Sequence, residues 1–389
     1  MDKCVACHIP LGTSGKQCGR CKMPYCGAAC QAQHWAACHK DQCKMVTKGG
    51  GAERYYADQN YKAAVAVAVK KCAEDTKGQT CYICTEIIEP RTKEGLVRMC
   101  SCGDRDGVAS GTAGIVHVSC LVRQAQIVCD DEMSNEDRGT KWSRWDACQV
   151  CGQRFNGTVA CALGWACWRT YLSRPLTDEL RRVALCALGV GLQKTHQYES
   201  AVAVYQLSLA EHRRSCGQRR MSRNEREGQF GMQNNIAILY GFTGRQEEAL
   251  KLHIAVLEGR KTLFGPEDKN TIHCALNVAN CLLNLGAKGD IGANGDRPRI
   301  TQAREMLRTL LPLAKRNLDP SDECFHTAEP MYAQSILYDP SVSRKDKLEA
   351  KVRLGKCLET LRRVLGSSHT STREMELCLR TADGHIPPH

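Results

Sequence analysis

No apolar run in the 389-residue chain is long enough to cross a bilayer. The longest, AAVAVAV at 63–69, falls far short of the ~20 residues a helical span needs. The opening stretch MDKCVACHIP has no apolar core of the kind a secretory signal carries. These absences lead to the expectation of a cytoplasmic or nuclear protein without a membrane span. Aromatic residues make up only 5% of the chain, too few to form a stacking platform for single strands, so nucleic acid is not an expected partner. P-loop, GxSxG, HExxH and Rossmann fingerprints are missing too, which removes the usual signals of a hydrolase, kinase or dehydrogenase. The glycine-rich loops at 47–52 and 286–296 lack the strand–helix setting that phosphate binding needs.

Cysteine, by contrast, is abundant and uneven. Of 26 cysteines, 19 fall in residues 1–167 and seven in the remaining 222. In a reducing compartment such density argues for metal rather than disulfides. The net charge of +12 is dispersed apart from one basic concentration at 211–227. That stretch reads first as a solvated loop, with an acidic-partner patch or nuclear localisation signal as the alternative.

The first cysteines come in pairs: Cys4-x2-Cys7, Cys18-x2-Cys21, Cys26-x3-Cys30, then His39-x3-Cys43. Eight N and S donors make two closed tetrahedral shells of the structural zinc type. Cys38 stands beside His39 and competes with it as the donor, though the gap to Cys43 favours His39. His8 and His34 fall outside the pairs and read as surface or packing residues. With YC at 25–26 and CQAQHWAACHKDQC at 30–43, the segment 1–45 resembles a MYND zinc finger. That resemblance implies interleaved binding, with Cys4, Cys7, Cys26 and Cys30 on one ion and Cys18, Cys21, His39 and Cys43 on the other. It also implies recognition of proline-containing peptides.

A second set follows: Cys81-x2-Cys84, Cys100-x-Cys102, His117-x2-Cys120 and Cys148-x2-Cys151. Four pairs again supply two zinc shells. With GTAGIVH at 111–117, the segment 80–153 resembles the RING-CH (RING-variant) zinc finger. The resemblance implies a cross-brace, with Cys81, Cys84, His117 and Cys120 on one zinc and Cys100, Cys102, Cys148 and Cys151 on the other. It implies ubiquitin-ligase activity as well: the module docks a ubiquitin-conjugating enzyme through an apolar residue in the first pair, here Ile83, and takes no covalent intermediate itself. Two positions depart from the family. Gln124 stands where its docking surface has Trp, and Gly152 stands where many active RINGs carry a basic residue. Cys129 is unpaired in spacing and reads as a spare thiol.

Between the modules, residues 46–79 read as a helical linker rich in Ala, Lys and Glu. Residues 154–177 read as a connecting helix, with Ala160, Leu163 and Trp168 on one face and Cys161 and Cys167 in the core. The last 210 residues repeat. Ala201, Ala249, Ala303 and Ala350 hold one place in four apolar-periodic helices, and Gly217, Gly265, Asp319 and Gly366 stand sixteen residues after them. Asn235 and Asn277 lie 42 residues apart, as do Gly244 and Gly286, a period that marks a two-helix solenoid unit. Through EEALKLHIAVLEGRKTLFG (247–265) and LEAKVRLGKCLETLRRVLG (348–366), residues 178–380 resemble tetratricopeptide repeats of the kinesin-light-chain type. Pro312 inside one helix predicts a kink. Asn234, Asn235 and Asn277 are candidates for a partner-binding groove, beside capping or structural roles.

The fold expected is therefore mainly α. Two small, loop-rich cross-brace zinc modules, carrying about four Zn2+ ions in all at two per eight ligands, precede an all-α solenoid of about four helix pairs and a tail at 381–389. The function expected is a zinc-binding protein-interaction protein, a RING-CH-type ubiquitin ligase whose MYND and repeat modules recruit partner peptides. The alternative, motivated by Gln124 and Gly152, is a zinc-finger and repeat scaffold with no ubiquitin transfer.

Overall fold

A computed structural model describes residues 4–7, 15–98, 100, 114–131, 141–217, 219–287, 297–318, 326–365 and 370–386. The chain divides into two compact units, Met1–Arg219 and Arg220–His389. Its architecture is mainly helical, with two short hairpins near the N-terminus.

In the first unit, β1 (Lys16–Gln17) and β2 (Pro24–Tyr25) pair antiparallel and carry the Cys18–Cys21 turn at their tip. A continuous helical rod follows: α1 (Ala28–His34), a π-helical turn (Trp35–His39) and α2 (Lys40–Lys48). A second hairpin, β3 (Val97–Arg98) with β4 (Ile115–Val116), brackets the segment that holds Cys100 and leads into α4 (Val118–Asp130). Among the described residues, the first module has no large apolar core. The buried cluster around β1, β2 and α2 consists of Cys4, Cys18, Cys21, Cys43, Met23, Tyr25, Val46 and Ala52, half of it cysteine.

Larger helices complete this unit: α3 (Ala52–Lys71), α5 (Gly157–Tyr171), α6 (Glu179–Lys194) and α7 (Tyr198–Cys216). α5 is buried on more than the single face expected of a connecting helix, since Val159, Cys161, Ala162, Leu163, Ala166, Cys167, Trp168 and Tyr171 are all inaccessible. It lies between α3 and α6. Two glycines permit the α5–α6 approach: a Cβ on Gly164 would meet the Ala187 carbonyl oxygen at 2.8 Å, and one on Gly191 the Ala160 carbonyl oxygen at 2.8 Å. The segment 46–79 is packed along its length through α3. Arg54 donates to the Arg169 carbonyl (2.9 Å), and the Arg169 guanidinium sits 4.5 Å over the Tyr61 ring. Arg181, buried, donates twice to Glu211 (2.9 and 2.8 Å) and once to Glu53 (3.2 Å), joining α6 to α7 and α3.

The second unit contains α8 (Arg223–Phe242), α9 (Gln246–Phe264), α10 (Lys269–Ala287), α11 (Pro298–Asn317), α12 (Ala328–Leu337), α13 (Arg344–Leu365) and α14 (Thr370–Thr381). Each packs against the next in sequence. The repeat read from the sequence, whose first copy falls on α7 of the first unit, has a plain physical basis. Ala201, Ala249, Ala303 and Ala350 are at most 1% exposed, because any larger side chain at these crossings would hold the helices apart. Gly217 and Gly265 end their helices at φ +57° and +91°, as C-terminal glycines do. Asp319 and Gly366 lie outside the described residues. Pro312 sits inside α11, which runs unbroken from Pro298 to Asn317. The core is long and aliphatic, with Ile272, Leu283, Ile300 and Leu307 fully buried.

Candidate metal centres and helical groove

Four groups of cysteine and histidine converge, each with its donor atoms within 4.8 Å of one another: Cys4, Cys7, Cys26 and Cys30; Cys18, Cys21, His39 and Cys43; Cys81, Cys84, His117 and Cys120; and Cys100, Cys148 and Cys151. Cys102 lies outside the described residues. The Cys7–Cys26 and Cys26–Cys30 sulfurs are 3.6 and 3.4 Å apart, and Cys18–Cys43 3.8 Å. A zinc tetrahedron with bonds of ~2.3 Å has edges of about 3.8 Å, whereas a disulfide needs ~2.05 Å. All described cysteines are free thiols.

The first unit's turns explain how the thiols are aimed. In the loops that open with Cys4, Cys18 and Cys81, backbone N–H groups point back at the first sulfur. Burial pushes the Cys4 thiol up, but N–H groups of Cys26, Cys7 and Ala6 outweigh it and draw it down to about 6. Burial likewise opposes Cys18, and N–H groups of Cys21 and Arg20 with the His39 ring bring it to about 6. Cys81 is lowered in the same way against its burial, by the N–H groups of Cys84, His117 and Ile83. Their neighbours move oppositely. Cys21 is pushed up to about 12, by burial and then by Cys18 and Cys43; Cys30 reaches about 12 through its bonds to Cys26 and Cys7. Thiols packed this closely cannot all ionise unless a cation sits among them, and that is the chemistry of a structural metal shell.

The two histidines present different nitrogens. His39 lies at the end of the π turn, whose extra residue resets the helical phase. Its ring is fully buried, with Nε2 3.3 Å from the Cys21 sulfur, and Cys43 follows one turn later on the same face. Cys38 is half-buried and is not among the four converging donors. His34 stacks on His39 (centroids 5.4 Å, 15°) and shares a 2.9 Å hydrogen bond with the Tyr25 hydroxyl, while Trp35 meets His39 edge-on. Aromatic packing thus orients His39, whose Nδ1 is buried without a hydrogen bond. His117 turns Nδ1 to Cys84 (3.3 Å) and Cys120 (3.8 Å), and Nε2 to the Ile87 carbonyl (3.2 Å). Cys129 is in none of the clusters; its thiol donates to the Lys141 carbonyl (3.3 Å).

Around the third and fourth groups, Ile83 is 38% exposed and Val150 66%. Each is the third residue of a Cys-x2-Cys turn. Gln124 is half-buried on α4, and Gly152 occupies a left-handed corner at φ +70°.

In the second unit, α8, α9 and α10 enclose a recess of about 190 Å³ lined by Ile238, Phe242, Gln246, Asn277, Asn280 and Asn284 among others. Asn277 donates to Asn234 (3.0 Å), so these two residues spend hydrogen bonds on each other. Asn235 is half-buried on α8 and does not line the recess. Asn280 and Asn284 were missed in the sequence. Their spacing from Asn277 places all three on one stripe of α10, and that spacing was the available signal.

Comparison with protein families matches residues 231–268 to a tetratricopeptide repeat. No MYND or RING-CH family matches, and no curated protein sequence matches the chain. Among solved structures, the nearly identical TPR-like repeats of a Podosopora anserina "putative kinesin light chain" are similar at 12% identity and TM-score 0.36, over 65% of this chain and 97% of that one. BtubC (BKLC) of P. vanneervenii is similar at 14% identity and TM-score 0.38, over 57% of this chain and 81% of that one. The repeat at 231–268 covers the later part of α8, all of α9 and the loop beyond, and includes Phe242 and Gln246 of the recess.

Proposed function

We propose that this protein is a zinc-stabilised adaptor that binds partner proteins through tetratricopeptide-type helix pairs. The observation that carries the reading is the match of residues 231–268 to a tetratricopeptide repeat, in a helical unit with an asparagine-lined recess. The four converging donor sets act as closed structural sites, holding loop-rich modules in shape for interaction. Zinc suits them because thiolate and imidazole in four-donor shells are its preferred company. The free thiols suit a reducing compartment, cytoplasmic or nuclear. No helix among the described residues is long and apolar enough to cross a membrane.

Binding of a fluorescent peptide library to the full chain tests the adaptor. Peptides retained by the wild type and lost with Asn280→Ala plus Asn284→Ala support it, and peptides bound equally by both place recognition elsewhere. Metal analysis of the same preparation is expected to give about four zinc ions per chain, one per donor set.

A second reading, a RING-CH-type ubiquitin ligase, draws support from Ile83 and Val150, two exposed apolar side chains at the tips of two metal-binding turns. They would supply the contact with a ubiquitin-conjugating enzyme that Gln124 does not. Autoubiquitination by zinc-loaded protein across a panel of conjugating enzymes, abolished by Ile83→Ala, supports this reading; no chains with any enzyme removes it.

A further inference from the structure

Four turns in the first unit share one backbone form. In each, the N–H of the first residue donates to the carbonyl five residues on, and the N–H four residues on donates back to the first carbonyl. Cys18 pairs in this way with Met23 (2.8 Å) and Lys22 (3.0 Å), Cys81 with Glu86 (3.0 Å) and Thr85 (2.8 Å), and Cys148 with Gln153 (2.8 Å) and Gly152 (2.8 Å). The fourth is Glu89, with Glu94 (3.0 Å) and Lys93 (2.9 Å). The fifth residue of every turn is left-handed: Lys22 at φ 62°, Thr85 at 64°, Gly152 at 70° and Lys93 at 58°. Three of these residues are not glycine, so each turn is held firmly enough to offset the strain.

Three of the turns are Cys-x2-Cys. The fourth reads Glu89-Pro90-Arg91-Thr92 and has no thiol. Its carboxylate does what the first sulfur does elsewhere: Oε2 accepts the N–H groups of Arg91 (2.7 Å) and Thr92 (2.5 Å) and the Thr92 hydroxyl (3.0 Å). The N–H two residues on points at the Cys81 sulfur in the same manner, from Ile83 at 3.4 Å. This is the backbone of the Cys-x2-Cys turns, closed by hydrogen bonds to a carboxylate.

We propose that the Glu89–Glu94 turn is a positioning device for the third donor set, presenting His117 and Cys120 to the metal; the inference rests on the metal-binding reading above. Two connections argue for it. The His117 Nε2 faces the Ile87 carbonyl. A carbonyl only accepts, so Nε2 carries the proton and Nδ1 keeps its lone pair toward Cys84 and Cys120. The side chains of Ile87 and Ile88 are 58% and 50% exposed, so little side-chain packing holds that carbonyl. It is pinned by backbone, through Glu86 in the Cys81 turn on one side and Glu89 on the other. The second connection is Glu94, whose carbonyl closes the turn while its Oε1 accepts the Ser119 N–H (2.6 Å). Ser119 lies between His117 and Cys120 in the first turn of α4. One thiol-free turn therefore grips both flanks of the His-x2-Cys pair.

The test uses full-length, zinc-loaded protein. Zinc release to a chelator and the nitrogen-15 signature of His117 are followed in the wild type, Glu89→Ala, Glu89→Gln and Glu94→Ala. Partners of metal ligands typically contribute about 10- to 100-fold in affinity. Glu89→Ala is expected to weaken one of the bound ions by that factor and to lose the single Nε2–H tautomer of His117, with the other ions unmoved. Glu89→Gln keeps an acceptor oxygen for the two N–H groups and should restore most of the affinity. Should Glu89→Ala fail to fold, Glu94→Ala carries the same expectation through the α4 connection. Wild-type protein with zinc on His117 and unchanged release in Glu89→Ala and Glu94→Ala would overturn this inference alone. Wild-type protein with no metal on His117 would overturn the metal reading and this inference with it.

Discussion

The cysteine-rich modules of the first unit and the helical second unit solve the same problem with different means. The modules bury cysteines, with Cys4 and Cys21 at 0% exposure and Cys18 at 4%, and their strands are two residues long. The second unit buries leucine, isoleucine and alanine along the consecutive helices α8 to α13. A core of thiols contributes little by water exclusion, so its shape depends on what the thiols hold. A core of aliphatic side chains is stabilised by ~25 cal/mol per Å² removed from water and needs no ligand. The two regions should therefore fail under different insults, and mutations can sharpen or break that contrast.

The largest effect is expected in the modules. Cys21→Ser should lose one metal ion and unfold the segment around β1, β2 and α2, since structural zinc supplies ~10–16 kcal/mol of folding free energy in isolated fingers. Metal stoichiometry and protease sensitivity of that segment measure it. In the second unit, Leu283→Ala removes a fully buried side chain and should cost about 2–5 kcal/mol. It should do so equally with and without chelator, as read by denaturant unfolding of residues 220–389. Equal sensitivity of Cys21→Ser and Leu283→Ala to chelator would erase the distinction.

A smaller effect is a pH dependence in the second unit. Burial lowers the His253 imidazole from 6.5 to about 4. The folded state thus resists a proton that the unfolded chain accepts. Stability is full above about pH 6.5 and falls as the pH drops toward about 4, by up to about 3 kcal/mol. Thermal melts across that range should show the slope, and His253→Phe should flatten it. The smallest effect is at the start of α8, where Ser222 and Glu225 form a reciprocal capping box. Ser222→Ala should cost about 1 kcal/mol, seen as faster hydrogen exchange in the first turn of α8.

The two regions also differ in how much of them the sequence displays. Helix positions in the second unit follow from periodicity, because burial at Ala249, Ala303 and Ala350 and helix ends at Gly244 and Gly265 are local requirements. The convergence of Cys18, Cys21, His39 and Cys43 was open to reading because metal shells demand particular residues at short spacing. Other features left no such mark. Glu-Pro-Arg-Thr has none of the residues that announce a metal turn, yet Glu89 closes the same backbone. The π turn that delivers His39, and the burial of α5 between α3 and α6, depend on packing partners distant in sequence. Asn280 and Asn284 carried only their helical spacing from Asn277 as a mark, and it is the recess they line with α8 and α9 that sets them apart.

Hydrogen exchange of the full chain before and after metal stripping tests the central claim most directly. The account predicts that loss of metal exposes the amides of residues 15–48, 81–98 and 141–153 to rapid exchange, while the amides of α8 to α13 keep their protection. Unchanged protection in the cysteine-bearing segments after complete metal removal would contradict it.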